Sequence, residues 1–289
     1  MTLHKALAGA RERLVSAGIS RDEASIDVDL YARTILEWDR ATLLSELQQP
    51  APTSLEPMFS EWVARRELHE PSAYIIGIRE FWGLDLEVTP AVLIPRPETE
   101  LIVEEATALL RTNPPTSAAG RGMHRVADVG TGSGCVAISI ATELPECHVI
   151  ASDISPDALA VARRNALRHG VASRVEFVET SYLNGVAGPF DLIAANPPYV
   201  KDGDRRALGR GVLYEPAVAL FGGSQGLRDI SGVLATTDLL VPGGYLVMEF
   251  GLGQEEDVIA LLKTRSDLHL EKVRCDLQGI DRTAIIRRR

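Results

Sequence analysis

The sequence predicts an α/β fold in which an open, mostly parallel, doubly wound sheet follows a small helical domain. Three observations carry this. From about residue 124 onward, short apolar runs alternate with helical stretches, the pattern that right-handed βαβ crossovers require. The first of those runs ends in the glycine-rich turn "DVGTGSG". Residues from about 3 to 70, in contrast, show helical apolar spacing and no strand-like alternation.

Taken in order, Leu3, Ala6, Leu7, Ala10, Leu14 and Ile19 recur near helical spacing, and Ile26, Leu30, Ala32 and Leu36 repeat it. Further helices are expected around 41–47 and 55–68. From 74 to 94 the segments "YIIGIREFWGLDLEV" and "AVLIP" are rich in β-formers, with Gly77 and Gly83 as punctuation, and suggest a hairpin. "PRPETELIVEEATALL" opens a helix, because Pro97 suits a first turn and Glu98 and Glu100 favour the N-terminal dipole. "RVADVG" then precedes a helix over 135–144, and "HVIASD" one over 156–169. "RVEFVE" and "FDLIAAN" are the next strands, and "GGYLVMEF" follows a helix over 230–240. Strands near 268–274 and 283–287 complete an edge hairpin. The expected domains are 1–72 (helical), 73–96 (a hairpin linker) and 97–289 (the sheet).

A length of 289 residues suits two domains rather than one, and 45% hydrophobic with 24% charged residues is ordinary for a soluble protein. The formal net charge of -10 opposes broad contact with a phosphate backbone, and Arg287, Arg288 and Arg289 read as a solvated tail. Cys135, Cys147 and Cys275 lie far apart with no metal-ligand spacing, so neither disulfides nor a metal is expected. The opening segment carries charges throughout, unlike a secretory signal. No apolar run approaches the ~20 residues of a membrane span. The expectation is a soluble, cytoplasmic monomer without direct nucleic-acid or membrane partners.

In "DVGTGSGCVAI", Gly130, Gly132 and Gly134 stand between a strand and a helix, where glycine permits a tight turn and close ligand approach to helix-start N–H groups. Asp153 ends the next strand roughly 20 residues on, where a carboxylate accepts from both ribose hydroxyls of an adenosine. As a bare helix cap it would be redundant, since Ser155, Pro156 and Asp157 already start that helix. The cofactor therefore contains adenosine. NAD(P) and S-adenosylmethionine fit equally at this point.

"FDLIAANPPYVKD" separates them. A buried strand ends in Asn196, Pro197, Pro198 and Tyr199, and two prolines can neither donate to a sheet nor relax. Ligands of a doubly wound sheet sit beyond the C-terminal strand ends, so this corner should face the cofactor's reactive end. The Asn196 side-chain oxygen and the Pro197 carbonyl can accept both hydrogens of a planar –NH2 group, with Tyr199 packed over its flat face. Such a clamp aims a poorly nucleophilic nitrogen at an electrophilic methyl. Hydride transfer has no use for it. The tetrad does not separate adenine, cytosine and glutamine amide as acceptors.

Together "NPPY" and "DVGTGSG" resemble the class I S-adenosylmethionine-dependent methyltransferases, with their Rossmann-like sheet. "EPSAYIIGIREFWG", "VLIPRPETE", "YEPAVALFGG" and "DLQGIDRTAII" extend the likeness over nearly the whole chain. At that extent it is similar to the peptide chain release factor N(5)-glutamine methyltransferases. The resemblance implies methylation of the glutamine amide in the GGQ motif of class I release factors, with S-adenosylhomocysteine as product. It implies that Gly130, Thr131, Gly132, Ser133 and Gly134 wrap the cofactor and Asp153 holds its ribose. Asn196, Pro197, Pro198 and Tyr199 would take the amide, Asn196 also bordering the cofactor. Where the family has an aromatic "D-W-F"-like stretch beside the adenine, this chain has Ser181 followed by Tyr182. It further implies that the helical domain recognises the protein substrate.

The loop 200–226 has little periodicity, and loops of that length are usually functional or mobile. It is expected either to close over the substrate, with Arg205, Arg206 and Arg210 meeting the partner, or to be solvated. Rival readings are a ribosomal-protein glutamine methyltransferase and an adenine-N6 nucleic-acid methyltransferase. An NAD(P)-dependent oxidoreductase, or a non-catalytic binding module, would explain the loop but not the tetrad.

Overall fold

A computed structural model describes residues 1–115 and 122–289. Its contacts divide the chain into two compact units, Met1–Ile78 with Gly209–Tyr214, and Arg79–Leu208 with Glu215–Arg289.

The first unit is helical: α1 (Leu3–Ser16), α2 (Arg21–Leu36), α3 (Arg40–Ser45), α4 (Met58–Glu67) and α5 (Ser72–Ile76). Ser20 starts α2 with a reciprocal capping box to Glu23, which satisfies otherwise orphaned N–H groups. The expected stripe of α1 is buried at Leu3, Leu7, Ala10 and Leu14. That of α2 differs from expectation. Ile26 and Leu30 are exposed, and the core face runs through Ala24, Val28, Tyr31 and Ala32. Tyr31 decides the rotation: its ring meets Trp62 edge-on at 5.5 Å, and its hydroxyl pairs with Ser72 at 2.8 Å. Asp27 on the same face is held by Arg66 at 2.7 Å and Ser72 at 2.6 Å.

A hairpin of β1 (Ile78–Phe81) and β2 (Leu84–Glu87), all but Ile78 belonging to the second unit, comes next. It is shorter than expected, because Tyr74–Ile76 belong to α5, which ends on Gly77 at φ 82°, and "AVLIP" forms no strand. Nor does it hang free. Asn165 accepts from the Glu87 N–H and donates to its carbonyl at 2.7 and 3.0 Å.

The elements that follow are α6 (Glu100–Thr112), β3 (His124–Val129), α7 (Cys135–Glu143), β4 (Cys147–Asp153), α8 (Pro156–Arg168), β5 (Val175–Glu179) and β6 (Phe190–Ala195). After these come α9 (Ala217–Leu220), α10 (Arg228–Ala235), β7 (Leu240–Glu249), α11 (Glu255–Leu262), β8 (Leu268–Cys275) and β9 (Asp281–Arg288). Seven strands form one sheet in the order β5-β4-β3-β6-β7-β9-β8, parallel through β7, with β9 antiparallel to both neighbours. Alternate residues of β6 enter two cores: Leu192 and Ala194 pack under α6 and α7, Ile193 and Ala195 under α10 and α11. A strand covered on both faces reads as a continuous apolar run, which is why "FDLIAA" shows no alternation. The strand order reverses between β3, which also pairs β4, and its neighbour β6, so their C-terminal ends open one crevice.

Candidate active site

The first wall of that crevice is the turn after β3. Gly130, Gly132 and Gly134 have φ of 73°, 55° and 83°, a region that favours glycine. The N–H groups of Gly130 and Thr131 both donate to the Ser152 carbonyl at 2.9 Å. Asp128, only 2% exposed, accepts from the Thr131 hydroxyl at 2.6 Å and the Ala137 N–H at 3.2 Å. It thereby ties the turn to the start of α7. Burial pushes the Asp128 carboxyl up to about 6, opposed by those two hydrogen bonds. A Cβ on Gly130 or Gly132 would meet nothing within 4 Å, so this backbone is open to a ligand. Gly134 differs from its expected role. It is not on the cavity wall, and a Cβ there would lie 2.8 Å from Ile138 Cδ1 and 3.2 Å from Ala162 Cβ. Its work is to let α7 approach α8.

The second wall is acidic and aromatic. Asp153, ending β4, accepts the Gly132 N–H on one carboxylate oxygen and the Ser155 N–H on the other, each at 2.9 Å. Ser155 caps α8 by accepting from Ala158 at 3.1 Å. Burial raises the Asp153 carboxyl above its ordinary range. Each of its oxygens keeps a lone pair for a further donor. Ser181 and Tyr182 border the same cavity. Tyr182, at φ 53°, donates to Asp229 at 2.9 Å. Its ring occupies the space a side chain at 232 would need, since a Cβ on Gly232 would fall 2.1 Å from the Tyr182 ring. Burial and the neighbouring Asp229 push the phenol up to about 12.

The third wall is the proline corner. The Asn196 amide N–H donates to the Thr99 hydroxyl at 2.9 Å, and that hydroxyl donates to a Glu249 oxygen at 2.7 Å. Having spent its hydrogen on Glu249, Thr99 can only accept from Asn196, which fixes the amide with its oxygen as the free end. Among the described residues no hydrogen bond reaches the Asn196 oxygen or the Pro197 carbonyl. Beyond the corner the backbone is clamped. Val200 donates to the Leu220 carbonyl and Gly222 to that of Val200, each at 2.9 Å, and Gln254 donates to the Tyr199 carbonyl at 3.1 Å. A Cβ on Gly222 would come 2.4 Å from the Pro198 carbonyl, and one on Gly226 2.2 Å from that of Tyr199.

Tyr199 departs from expectation. It is not on the cavity wall; its phenol donates to the other Glu249 oxygen at 3.0 Å. The cause is Glu249 itself, a carboxylate 1% exposed, which must find donors to remain buried. Even so, burial pushes Glu249 up to about 7 and drives the Tyr199 phenol well above its usual value.

The cavity these walls enclose measures about 370 Å³ and is lined by Gly130, Thr131, Gly132, Ser133, Asp153, Ser181, Tyr182, Asn196, Pro197 and Pro198. Ten of the twelve residues singled out from the sequence thus meet in one place. Its size suits a nucleoside-sized ligand. Open glycine backbone, a carboxylate with spare lone pairs and a small mouth residue at Ser181 fit an adenosyl cofactor. Sequence reading missed Asp128, Glu249, Thr99 and Asp229. The first two had a signal, a lone acid inside an apolar strand ("VADV", "LVMEF"). It also missed that "VLIPRPETE" and "YEPAVAL" meet: Glu215, 5% exposed, accepts the Ile94 N–H at 3.0 Å and pairs with Arg96 on the cavity wall. The loop 200–226 is not structureless. It holds short helical turns at Asp202–Ala207, Val212–Tyr214 and Ala217–Leu220, and Arg205 lies over the Phe221 ring at 5.4 Å. No cluster of metal-ligand side chains occurs among the described residues, and none of their helices is long and apolar enough to cross a membrane.

Residues 100–221 match the methyltransferase small domain family, and residues 5–77 the PrmC N-terminal domain. In fold, the hMettl16 catalytic domain in complex with MAT2A 3′UTR hairpin 6 resembles this chain with a TM-score of 0.55 at 16% identity, covering 79% of this chain and 82% of that one. Relatives named release factor glutamine methyltransferase are far nearer in sequence. That of Nitratidesulfovibrio vulgaris is 39% identical, covering 99% of this chain and 95% of the relative. That of Moorella thermoacetica is 38% identical over 100% and 99%, and that of Geobacter sulfurreducens 40% over 90% and 88%. With the fold, both family matches and identity of this order from end to end, the chain belongs to the release factor glutamine methyltransferases.

Proposed function

We propose that the protein transfers a methyl group from S-adenosylmethionine to the side-chain amide nitrogen of the glutamine in the GGQ motif of class I release factors. The observation that carries the chemistry is the Asn196 amide, pinned through Thr99: the amide oxygen, like the Pro197 carbonyl on the same cavity wall, accepts no hydrogen bond from the described residues. The choice of release factor as substrate rests on the relatives.

The cofactor, when bound, supplies an electrophilic methyl on a sulfonium. The Gly130–Ser133 backbone and the Asp153 carboxylate are the residues to hold its amino-acid and ribose parts. Ser181 and Tyr182 border the adenine, where Tyr182, tied to Asp229, offers an edge or face without a tryptophan. An amide nitrogen is a poor nucleophile because its lone pair is delocalised into the carbonyl. Two acceptors, the Asn196 oxygen and the Pro197 carbonyl, draw on both its hydrogens, localise density on nitrogen and turn its lone pair toward the methyl. These bonds strengthen as positive charge develops on nitrogen, so they stabilise the transition state more than the ground state. No base is needed before attack, because the nitrogen acidifies only once methylated. Tyr199 acts from behind, through Glu249. The helical unit is assigned to recognition of the release factor, which a hydrogen-exchange footprint confined to the sheet unit would refute.

The decisive experiment incubates the protein and labelled S-adenosylmethionine with purified release factor, ribosomal protein and DNA in parallel. Label on the release-factor glutamine supports the reading. Label on either of the others overturns the substrate assignment. Calorimetry with S-adenosylhomocysteine against NADP separates the cofactors, and preference for NADP would overturn the cofactor.

A further inference from the structure

The relay behind Asn196 reaches further than support. An asparagine amide has two orientations of nearly equal shape, one presenting an acceptor to the cavity and the other two donors. Only the first can receive a substrate –NH2. Nothing in the proline corner distinguishes them; the distinction is made two side chains away, at Glu249.

We propose that Glu249, acting through Thr99, is the positioning residue that sets the polarity of the Asn196 amide, and that the enzyme is competent only while Glu249 is a carboxylate. The proposal rests on the methyl-transfer reading above. A carboxylate can only accept. It therefore takes the hydroxyl hydrogens of Thr99 at 2.7 Å and Tyr199 at 3.0 Å. Thr99 is left with lone pairs alone toward Asn196 and receives its N–H at 2.9 Å. Protonating Glu249 reverses this chain: its O–H can donate to Thr99, whose hydrogen then turns to the Asn196 oxygen and pulls it away from the substrate. Two amide donors would face two amide donors, and transfer stops.

The surroundings hold Glu249 near the balance point. Burial opposes its charge, while Thr99, Tyr199 and Arg282 favour it and Glu98 opposes it. Cys135, at the start of α7, feels the Glu249 charge, and Arg96 lies near Tyr199. With the carboxyl pushed up to about 7, a modest fall in pH inverts the relay.

The test measures single-turnover methylation of release factor against pH for the wild type, Thr99→Val, Thr99→Ser and Glu249→Gln, with S-adenosylhomocysteine affinity and Tm for each. Thr99→Val should slow transfer about tenfold, with cofactor affinity and release-factor KM within about twofold, and Thr99→Ser should restore the rate. The wild type should lose activity as pH falls through about 7. Glu249→Gln should be slow at every pH and lack that acid limb. Its carboxamide presents a donor as well as an acceptor, so it cannot dictate the direction of the Thr99 hydroxyl. Wild-type rates in Thr99→Val, or an acid limb retained in Glu249→Gln, would overturn the relay while leaving the function intact. A wild type that does not label release factor at any pH would overturn the underlying reading as well.

Discussion

At the scale of single residues, the corner and the turn should fail in different ways. Asn196→Ala removes an acceptor proposed to matter most in the transition state. It should lower kcat by about a hundredfold while S-adenosylhomocysteine affinity stays within about twofold in calorimetry. Asp153→Ala should do the reverse. Losing the charged acceptor proposed for two ribose hydroxyls should weaken the cofactor by about 2–4 kcal/mol, and saturating cofactor should recover much of the rate. Gly232→Leu is a third case. Any side chain at 232 must displace the Tyr182 ring, which lies 2.1 Å from where its Cβ would be. Because Tyr182 is proposed to border the adenine, S-adenosylhomocysteine affinity in calorimetry should fall although residue 232 is not on the cavity wall. The cavity-lining residues of the corner and the turn were legible in the sequence because their types are unusual where they stand: double proline at the end of a core strand, glycines between strand and helix. Thr99 and Asp229 were not, because a threonine at a helix start and an aspartate in a helix's first turn are commonplace until a fold brings them to Asn196 and Tyr182.

Elements position these residues, and the tightest tolerances against backbone lie in the loop behind the proline corner. Gly226 has φ 71°, and a Cβ there would sit 2.2 Å from the Tyr199 carbonyl. Gly226→Ala should therefore shift the corner and lower both Tm and kcat, at a cost of about 1–3 kcal/mol for the backbone strain alone. Unfolding and rate measurements on the same variant check this. The strands and helices of the sheet unit were legible because their periods are strong; α7 and α8 begin and end within a residue or so of expectation. The hairpin and α2 were less so. Apolar residues at 74–76 and 91–94 have β-prone types, yet Gly77 ends a helix, and in the later segment Ala91 and Val92 turn back on Thr89 while Ile94 donates to Glu215. In α2 two apolar stripes compete, and only the partners of Tyr31 decide between them. The direction of Tyr199 was illegible for a similar reason: it is set by a buried acid fifty positions away.

For the molecule as a whole, the buried acids leave a mark on stability. Glu249 is raised from 4.5 to about 7 and Asp128 from 3.8 to about 6 by burial. The native state therefore holds protons that the unfolded chain gives up, and stability falls as pH rises across these windows, by at most about 1.4 kcal/mol per pH unit for each group. Glu249→Gln keeps no such proton. Its Tm should gain on that of the wild type as pH rises from 4.5 to about 7 and then hold a constant difference, which thermal scans at several pH values will show. The crevice itself rests on a simpler fact. Val129 and Ala195, the last paired residues before the glycine turn and the proline corner, are partners in adjacent strands, about 4.8 Å apart. The strand ends that carry the proposed cofactor turn and the proposed acceptor corner thus start one inter-strand spacing apart, a gap set by the hydrogen-bond ladder of the sheet. Evolution can redecorate either rim at will, but it can widen that gap only by dismantling two strands of the core.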